Sequence, residues 1–464
     1  MALVIAGERS GVGKTTVTLA LLSFLSRQNR TIQSVKVGPD YIDPMFHTWV
    51  TGRPCRNLDP VLTSENYVQD CFTHRVRGAE YALVEGVMGL FDGASGRSDW
   101  ASTAHVARLL QQPVLLVLDC SRLSRSVAAI AHGYRSFDPR IQIAGVVLNR
   151  VGSDRHLELL KDALEPLQLP ILGVLRRHDT IKIPDRHLGL VPTAEMVELD
   201  TLIDQLAQLG ASCFDWEQLL PLLTPPNPPL VRGGISTQTL SASPLAKGKN
   251  AQLPIRIAIA RDRAFSFYYQ DNLDILQELG AQLVPWSPLL DATLPPDIQG
   301  LYFGGGFPEI FAQQLTDNIS ARESVRQAIL QGIPTYAECG GLMYLCEQIS
   351  DFEGQFWSMV GVLPTTTVMG KRLTVGYRKA TTLQESPLLP TGKTVWGHEF
   401  HHSQLTAMPE QPLFETRNYD QTGQDKAMAE GWRVHQLHAS YIHLHWGEHP
   451  EIPAQFLQRC QQYS

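Results

Sequence analysis

The sequence predicts an α/β protein of two domains in tandem, the first built on a doubly wound, mostly parallel sheet. Three observations carry this. Short β-branched runs alternate with helical patterns in both halves of the chain, as strands covered on both faces by helices require. A glycine-rich loop, AGERSGVGKTT at residues 6–16, lies between the first such run and the first helical pattern. A Pro/Gly/Ser-rich stretch from Pro221 to Pro254 interrupts the alternation near its middle and reads as a linker. At 464 residues the chain is long for one core, and two domains of about 200 residues each are expected. The boundaries fall at residues 1–220, a linker over 221–253, and residues 254–464.

In the first domain LVIAG, TIQSVKVG, YALVEG, PVLLVLD, IAGVVLN and PILGVL read as central parallel strands, being short, β-branched and apolar on both faces. After the loop, Val17, Ala20, Leu21, Phe24 and Leu25 fall on one face of a helix. The loop spacing, with Gly7, Gly11 and Gly13 before Lys14, Thr15 and Thr16, is one residue longer than the common phosphate loop. Its context between strand and helix makes it a nucleotide site. Glycine lets backbone N–H groups approach phosphate oxygens at a helix N-terminus. Lys14 would then neutralise the terminal phosphates and Thr15 ligate Mg²⁺.

Four acids follow the next strands: Asp40 and Asp43 in KVGPDYIDPMFH, Glu85 and Asp92 in LVEGVMGLFDG. Loops at the carboxyl ends of parallel strands converge on one crevice, and Mg²⁺ takes one or two carboxylates beside phosphate and water. Thr15, Asp40 and Glu85 are the expected ion ligands; Tyr41, Asp43 and Asp92 are expected at the acceptor. Asn149, ending AGVVLN, is placed to hydrogen-bond adenine. Asp119, ending VLLVLD, either serves the metal side or caps a helix.

Beyond the linker the alternation restarts with IRIAIA, a helix near Asn272–Leu279, AQLVPW, GLYFGG and IPTYAE. The strand is expected to end at Ala337, with Glu338-Cys339-Gly340-Gly341 a tight turn and a helix from Leu342. That geometry presents Cys339 at a helix N-terminus, where the dipole favours thiolate. A thiolate nucleophile needs a base, and HASYIHLHWGEH offers one. His443 is assigned that role, with His445 on the same side by the two-residue period, orienting it or idle. Gly305 or Gly306 of YFGGGFPEIF, with the Gly340 backbone, would supply oxyanion donors. Cys346 is expected in the core of the helix. GHEFHH (His398, His401, His402) is the one histidine cluster to weigh as a metal site, and no cysteine or carboxylate spacing supports a structural zinc there.

Composition narrows the partners. Net charge is −7, with 39 basic and 46 acidic residues, which gives no electrostatic case for nucleic acid. The seven cysteines form no C-x-x-C pair, so neither a disulfide framework nor a zinc ribbon is expected. No apolar run reaches membrane-spanning length and the first residues do not read as a secretory signal, so the cytoplasm is the expected compartment.

Taken in order, GVGKTT, KVGPDYIDP, EGVMGLFDG, AFSFYYQDNL, GLYFGGGFPE, YAECGGLMYL, GHEFHHS and SYIHLHW resemble the cobyrinic acid a,c-diamide synthase family, the glutamine-dependent amidases of corrin biosynthesis. The resemblance runs nearly end to end, and the longer glycine loop is similar to that of dethiobiotin synthetase. It implies a P-loop ATP domain followed by a class I glutamine amidotransferase domain of flavodoxin-like α/β fold. The nucleophile falls on Cys339 and the activating histidine on His443. Class I glutaminases carry His-x-Glu at this point; here His445 stands in the glutamate's place and the third member of the triad is open. The implied chemistry is ATP-dependent activation of the a- and c-carboxylates of cobyrinic acid and their amidation by ammonia from glutamine, with Mg²⁺ as cofactor. Partners are then small molecules, and a homodimer is admitted. Hydrogenobyrinic acid and nickel-sirohydrochlorin are alternative acceptors. A reading of another class is a P-loop ATPase switch with a non-catalytic glutaminase-like module, against which an intact Cys339, Gly340, Gly341 and His443 speak.

Overall fold

Every apolar run singled out in the first half is a strand of one parallel sheet in the computed structural model, which describes residues 1–177, 181, 183–186, 189–225, 254–419 and 427–463. The strands are β1 (Leu3–Gly7), β2 (Ile32–Val37), β3 (Arg56–Leu58), β4 (Tyr81–Glu85), β5 (Val114–Asp119), β6 (Ile143–Val151) and β7 (Ile171–Arg176). Their order is β3-β2-β4-β1-β5-β6-β7. The chain therefore reverses direction across the sheet beside β1, and a switch point of this kind opens a crevice at the strands' carboxyl ends. The glycine loop leaves β1 at that point. The short β3 was not expected: Arg-Asn-Leu has no apolar run, although all three residues are buried. A two-stranded ribbon, β8 (Asp185–Arg186) with β9 (Gly189–Leu190), follows the sheet.

The helix Lys14–Arg27 buries Val17, Ala20, Leu21 and Leu25 as the spacing predicts, and Leu19 and Leu22 as well. The predicted face, at Ala20 and Phe24, lies against the helix Leu199–Cys213, where a Cβ on Gly210 would come within 2.3 Å of the Ala20 carbonyl oxygen. Only glycine permits that approach. Phe24 is half-buried and stacks on Trp216 at 4.4 Å between ring centroids. Trp216 opens a helix that runs to Leu223 with Pro221 inside it. The linker expected from Pro221 thus starts too early: buried Leu219 and Leu223 outweigh one missing backbone hydrogen bond. Residues 226–253, the rest of that stretch, lie outside the described residues.

The chain divides into two units, Met1–Asn227 and Pro228–Ser464. In the second, β10 (Ile255–Ala260), β11 (Ala281–Trp286), β12 (Gly300–Phe303) and β13 (Thr335–Glu338) form the parallel part of a sheet. The helix Gln270–Glu278 joins the first two. Period two decides the two cores: Leu301 and Phe303 face one, Tyr302 and Tyr336 the other. Cys346 is buried as expected, but the helix stops at Leu345 and Cys346 opens a strand, β14 (Cys346–Ser350).

A second, largely antiparallel sheet was not foreseen. β15 (Phe356–Ser358), β14, β16 (Leu363–Thr382), β17 (Thr394–Leu405) and β22 (His443–Leu444) lie in that order, with β18 (Phe414–Asn418) also pairing with β16 and β19 (Met428–Glu430) pairing with β18. The parallel sheet ends with β21 (Leu437–Ser440) next to β13, and β20 (Trp432–Val434) antiparallel at the edge. No helix among the described residues is long and apolar enough to cross a membrane.

Candidate functional site

The glycine loop of the first unit is shaped by its glycines and gripped by its neighbours. Gly11 and Gly13 have φ of +75° and +97°, conformations that side chains disfavour. A Cβ on Gly13 would also sit 2.3 Å from the Asn149 amide nitrogen. Lys14, the first helical residue, folds back onto the Arg9 and Met88 carbonyls. Burial, then the nearby Lys36, brings its ammonium down to about 8. Thr16 follows in the first turn of the same helix.

Thr15 meets the acids. Its hydroxyl donates to Glu85 at 2.7 Å and lies 3.4 Å from Asp43 Oδ2. Asp43, expected at the acceptor, therefore faces Thr15 more directly than Asp40. Asp40 is half-exposed, and its Oδ1 takes the Ile42 and Asp43 N–H groups at the start of the helix Ile42–Thr51. Tyr41 immediately precedes that helix. Asp92 accepts the Gly89 N–H at 2.9 Å and shapes its own turn.

Sequence reasoning missed the cation at the centre of this cluster. Lys36, buried on β2, pairs with Asp43, with Glu85 at 3.1 Å and with Asp40 at 3.7 Å. Burial alone would lower its ammonium; the three carboxylates overcome that and hold it well above its ordinary value. Glu85 is held well below the carboxylate range against its burial, by Lys36 and by His47, whose Nε2 lies 2.6 Å away. Asp43 is pushed up to about 8 by burial and the Asp40 charge. A lysine inside the apolar run SVKV was the available signal.

Asn149 and Asp119 depart from their expected roles. The Asn149 amide donates to the Val12 carbonyl at 2.7 Å and its oxygen accepts the Arg150 N–H at 2.9 Å. The nitrogen braces the loop and the oxygen takes the next residue's N–H, where the sequence placed an adenine contact. Asp119 accepts Arg150 at 2.6 Å, Arg9 at 3.0 Å and the Ser121 N–H at 3.0 Å, so it neither caps a helix nor faces the acid cluster. Asn149→Ala should raise the KM for ATP about tenfold, since one buried hydrogen bond to the loop is worth about 1–2 kcal/mol. A KM within twofold of the parent would show that the loop holds its shape without this prop.

In the second unit, β13 ends at Glu338, Cys339 takes φ 46° and ψ −101°, and a short helix starts at Gly340. This is the sharp turn expected, with the strand one residue longer and the helix starting two residues earlier. The Cys339 N–H donates to the Ser440 carbonyl at 2.8 Å, which ties the turn to the end of β21. Burial works against the expected thiolate. Burial, then the Glu309 carboxylate, pushes the thiol well up despite the Gly340 N–H at its sulfur. The dipole of so short a helix does not outweigh desolvation.

Gly305 and Gly306 part company. The Gly305 N–H is spent on the Phe267 carbonyl at 3.2 Å, so Gly305 is not an oxyanion donor. A Cβ built on it would meet His443 Cε1 at 2.6 Å, and its role is to make room for that ring. The Gly306 nitrogen lies 2.9 Å from where a Gly340 Cβ would be, so of the expected donors the Gly306 and Gly340 backbones are the two that stand side by side. His443 is buried on β22, with Nδ1 3.7 Å from Glu338 Oε2. His445 does not join it: its Nδ1 accepts the Gly447 N–H at 3.2 Å and its Nε2 lies 3.5 Å from Asp271. The histidines of GHEFHH sit on β17. His398 pairs across the sheet with His443, His401 stacks on Tyr441 at 3.9 Å, and Glu399 forms a buried ion pair with Arg378 at 3.0 Å. Glu399 contributes to raising the Cys339 thiol, so this strand lends charge to the same pocket.

Two family models match the chain. Residues 3–191 match the CobQ/CobB/MinD/ParA nucleotide binding domain and residues 256–451 the CobB/CobQ-like glutamine amidotransferase domain. A relative in Synechococcus sp., a cobyrinate a,c-diamide synthase, is 60% identical over 100% of this chain and 99% of its own. One of the same name in Synechocystis sp. is 52% identical over 99% and 93%. A hydrogenobyrinate a,c-diamide synthase of Streptomyces coelicolor is 40% identical over 99% and 97%.

Proposed function

The chain belongs to the cobyrinate a,c-diamide synthase family, and from that premise we infer that it is a glutamine-hydrolysing ligase that amidates the a- and c-carboxylates of cobyrinic acid with ATP. What supports the reading in chemical terms is one arrangement: a phosphate loop beside an acid cluster in one unit and a Cys–His turn in the other, on a single chain.

A carboxylate resists amidation because hydroxide leaves badly, and an acyl phosphate removes that obstacle. In the first unit Lys14 is the group that takes up negative charge on the transferred phosphoryl. The Gly11–Gly13 loop presents N–H groups to the triphosphate, with Asn149 and Arg150 holding its shape. Thr15, Glu85 and Asp43 offer an all-oxygen donor set that suits Mg²⁺, with Asp40 at its rim; when bound, the ion neutralises phosphate charge. Tyr41 and Asp92 flank the crevice where the acceptor carboxylate would lie.

In the second unit His443 takes the Cys339 proton as the sulfur attacks the amide carbon of glutamine, and the Gly306 and Gly340 N–H groups receive the oxyanion. The same imidazole returns the proton to the departing nitrogen, leaving a γ-glutamyl thioester and ammonia. Water, deprotonated by His443, then hydrolyses the thioester to glutamate. Because burial favours the protonated thiol, the nucleophile forms as glutamine occupies the site.

The test is incubation with cobyrinic acid, ATP, Mg²⁺ and glutamine, followed by mass measurement. Two successive mass decrements, each equal to the exchange of OH for NH₂, are expected, with ADP and glutamate formed in step. The name of the Streptomyces relative makes hydrogenobyrinic acid the competitor to include; faster turnover of the metal-free acid would reassign the acceptor and keep the chemistry.

A further inference from the structure

The glutaminase half lacks the carboxylate its kind carries two residues after the histidine, since His445 occupies that place and is engaged with Asp271. Another carboxylate stands beside the His443 ring. Glu338 and His443 are both buried, and Oε2 lies 3.7 Å from Nδ1. That is ion-pair distance, somewhat longer than a hydrogen bond, and catalytic contacts of this type tighten in the substrate complex. We propose that Glu338, the residue directly before the nucleophile, is the third member of the relay, a positioning residue whose carboxylate accepts the Nδ1 proton of His443 and so fixes Nε2 as the basic nitrogen.

The Glu338 side chain is held for this. Its Oε1 accepts the Leu444 N–H at 3.0 Å and the Tyr336 hydroxyl; its Oε2 accepts the Tyr302 hydroxyl at 3.3 Å. A buried carboxylate needs such donors to stay charged. Both tyrosines remain protonated donors, because burial and then the Glu338 charge push their hydroxyls well up. The Leu444 contact is the telling one, since it fastens the carboxylate to the residue next to His443. On its other edge the imidazole abuts Gly305, with Nε2 3.4 Å from where a Cβ would stand. The charges around the ring come from three places: Glu338 from β13, Glu399 with Arg378 from the β16–β17 pair, and the imidazoles of His398 and His401 from β17. Glu399 is already committed to Arg378, and burial followed by the His443 charge keeps His398 neutral.

This inference rests on Cys339 and His443 being the glutaminase pair, and the test separates the two. Glu338→Gln is nearly isosteric and keeps an oxygen for Leu444, but its NH₂ would donate to Nδ1 and put the proton on Nε2. Expected is a fall in glutamine-dependent kcat of about 10²–10⁴-fold, with the glutamine KM and ammonium-dependent synthesis unchanged. The acidic limb of the kcat–pH profile should also move to lower pH, because the negative charge that favours imidazolium is gone. Glu338→Asp keeps the charge and should keep the limb in place. An unchanged kcat and limb in Glu338→Gln, with Cys339→Ala inactive on glutamine, would overturn the proposal and leave the Cys–His reading standing. An active Cys339→Ala would overturn both. If Glu338→Gln does not fold, imidazole ¹⁵N NMR of the unaltered protein decides: the Nδ1–H tautomer of His443 is required, and an Nε2–H tautomer with bare Nδ1 refutes it.

Discussion

Cys339→Ala should lose glutamine-driven amidation by about 10⁴-fold or more, the scale on which removal of a covalent nucleophile is felt, and should retain synthesis from ammonium salts. The retained half carries the argument. Activation of the acceptor is assigned to the unit that holds Lys14 and Thr15, and none of its groups depends on the sulfur. The change is sterically mild: Ala keeps the Cβ, so the φ of 46° at this position is no more strained than before. Ammonium-dependent synthesis should rise with pH, since only unprotonated ammonia has a free lone pair. Glutamate release and amide formation, measured side by side with each nitrogen source, give the result directly. Loss of both activities in a folded variant would break the proposed division of labour.

The second large effect is at Lys14. Lys14→Ala should lower amidation about 10³-fold or more from either nitrogen source, because a preorganised cation on the transferred phosphoryl is worth several kcal/mol. Glutamate release by the other unit should survive. A pH signature accompanies it. Without nucleotide, burial and Lys36 leave this ammonium at about 8, and a bound triphosphate raises it again. Above pH 8 ATP binding must therefore take up a proton, and the KM for ATP should climb about tenfold per pH unit until the ordinary lysine value is neared. Below pH 8 the slope vanishes, and it should vanish everywhere in Lys14→Ala. Ammonia-dependent synthesis that survives the substitution would remove the phosphate loop from the mechanism.

How far the sequence foretold the site depends on which interactions are local. The parallel strands of both units were legible because each is a short apolar run between turn residues, and the loop because its lysine and glycines are contiguous. The antiparallel sheet was not. β16 carries Gly370-Lys371-Arg372 in its middle and alternates buried and exposed residues irregularly, so it has no clean period, and its partner β17 is rich in histidine. The four loop acids were identifiable by type, yet which of them faces Thr15 depends on a helix cap: Asp40 spends an oxygen on two backbone N–H groups, and Asp43 turns inward. Asn149 and Gly305 looked like free donors for the same reason. Their partners, Val12 and Phe267, are distant in sequence. Lys36 was overlooked because a charge inside a strand is read as an alternation error, and Glu338 because it was assigned to the turn, whereas the structure buries both.

Burial at Cys339 favours the protonated thiol. Peroxides and adventitious alkylating agents attack the deprotonated form and must also reach it, so this centre is shielded from both hazards while idle. Damage should then concentrate in the turnover state, making an inhibitor shaped like the amino-acid donor far more effective than a small indiscriminate electrophile.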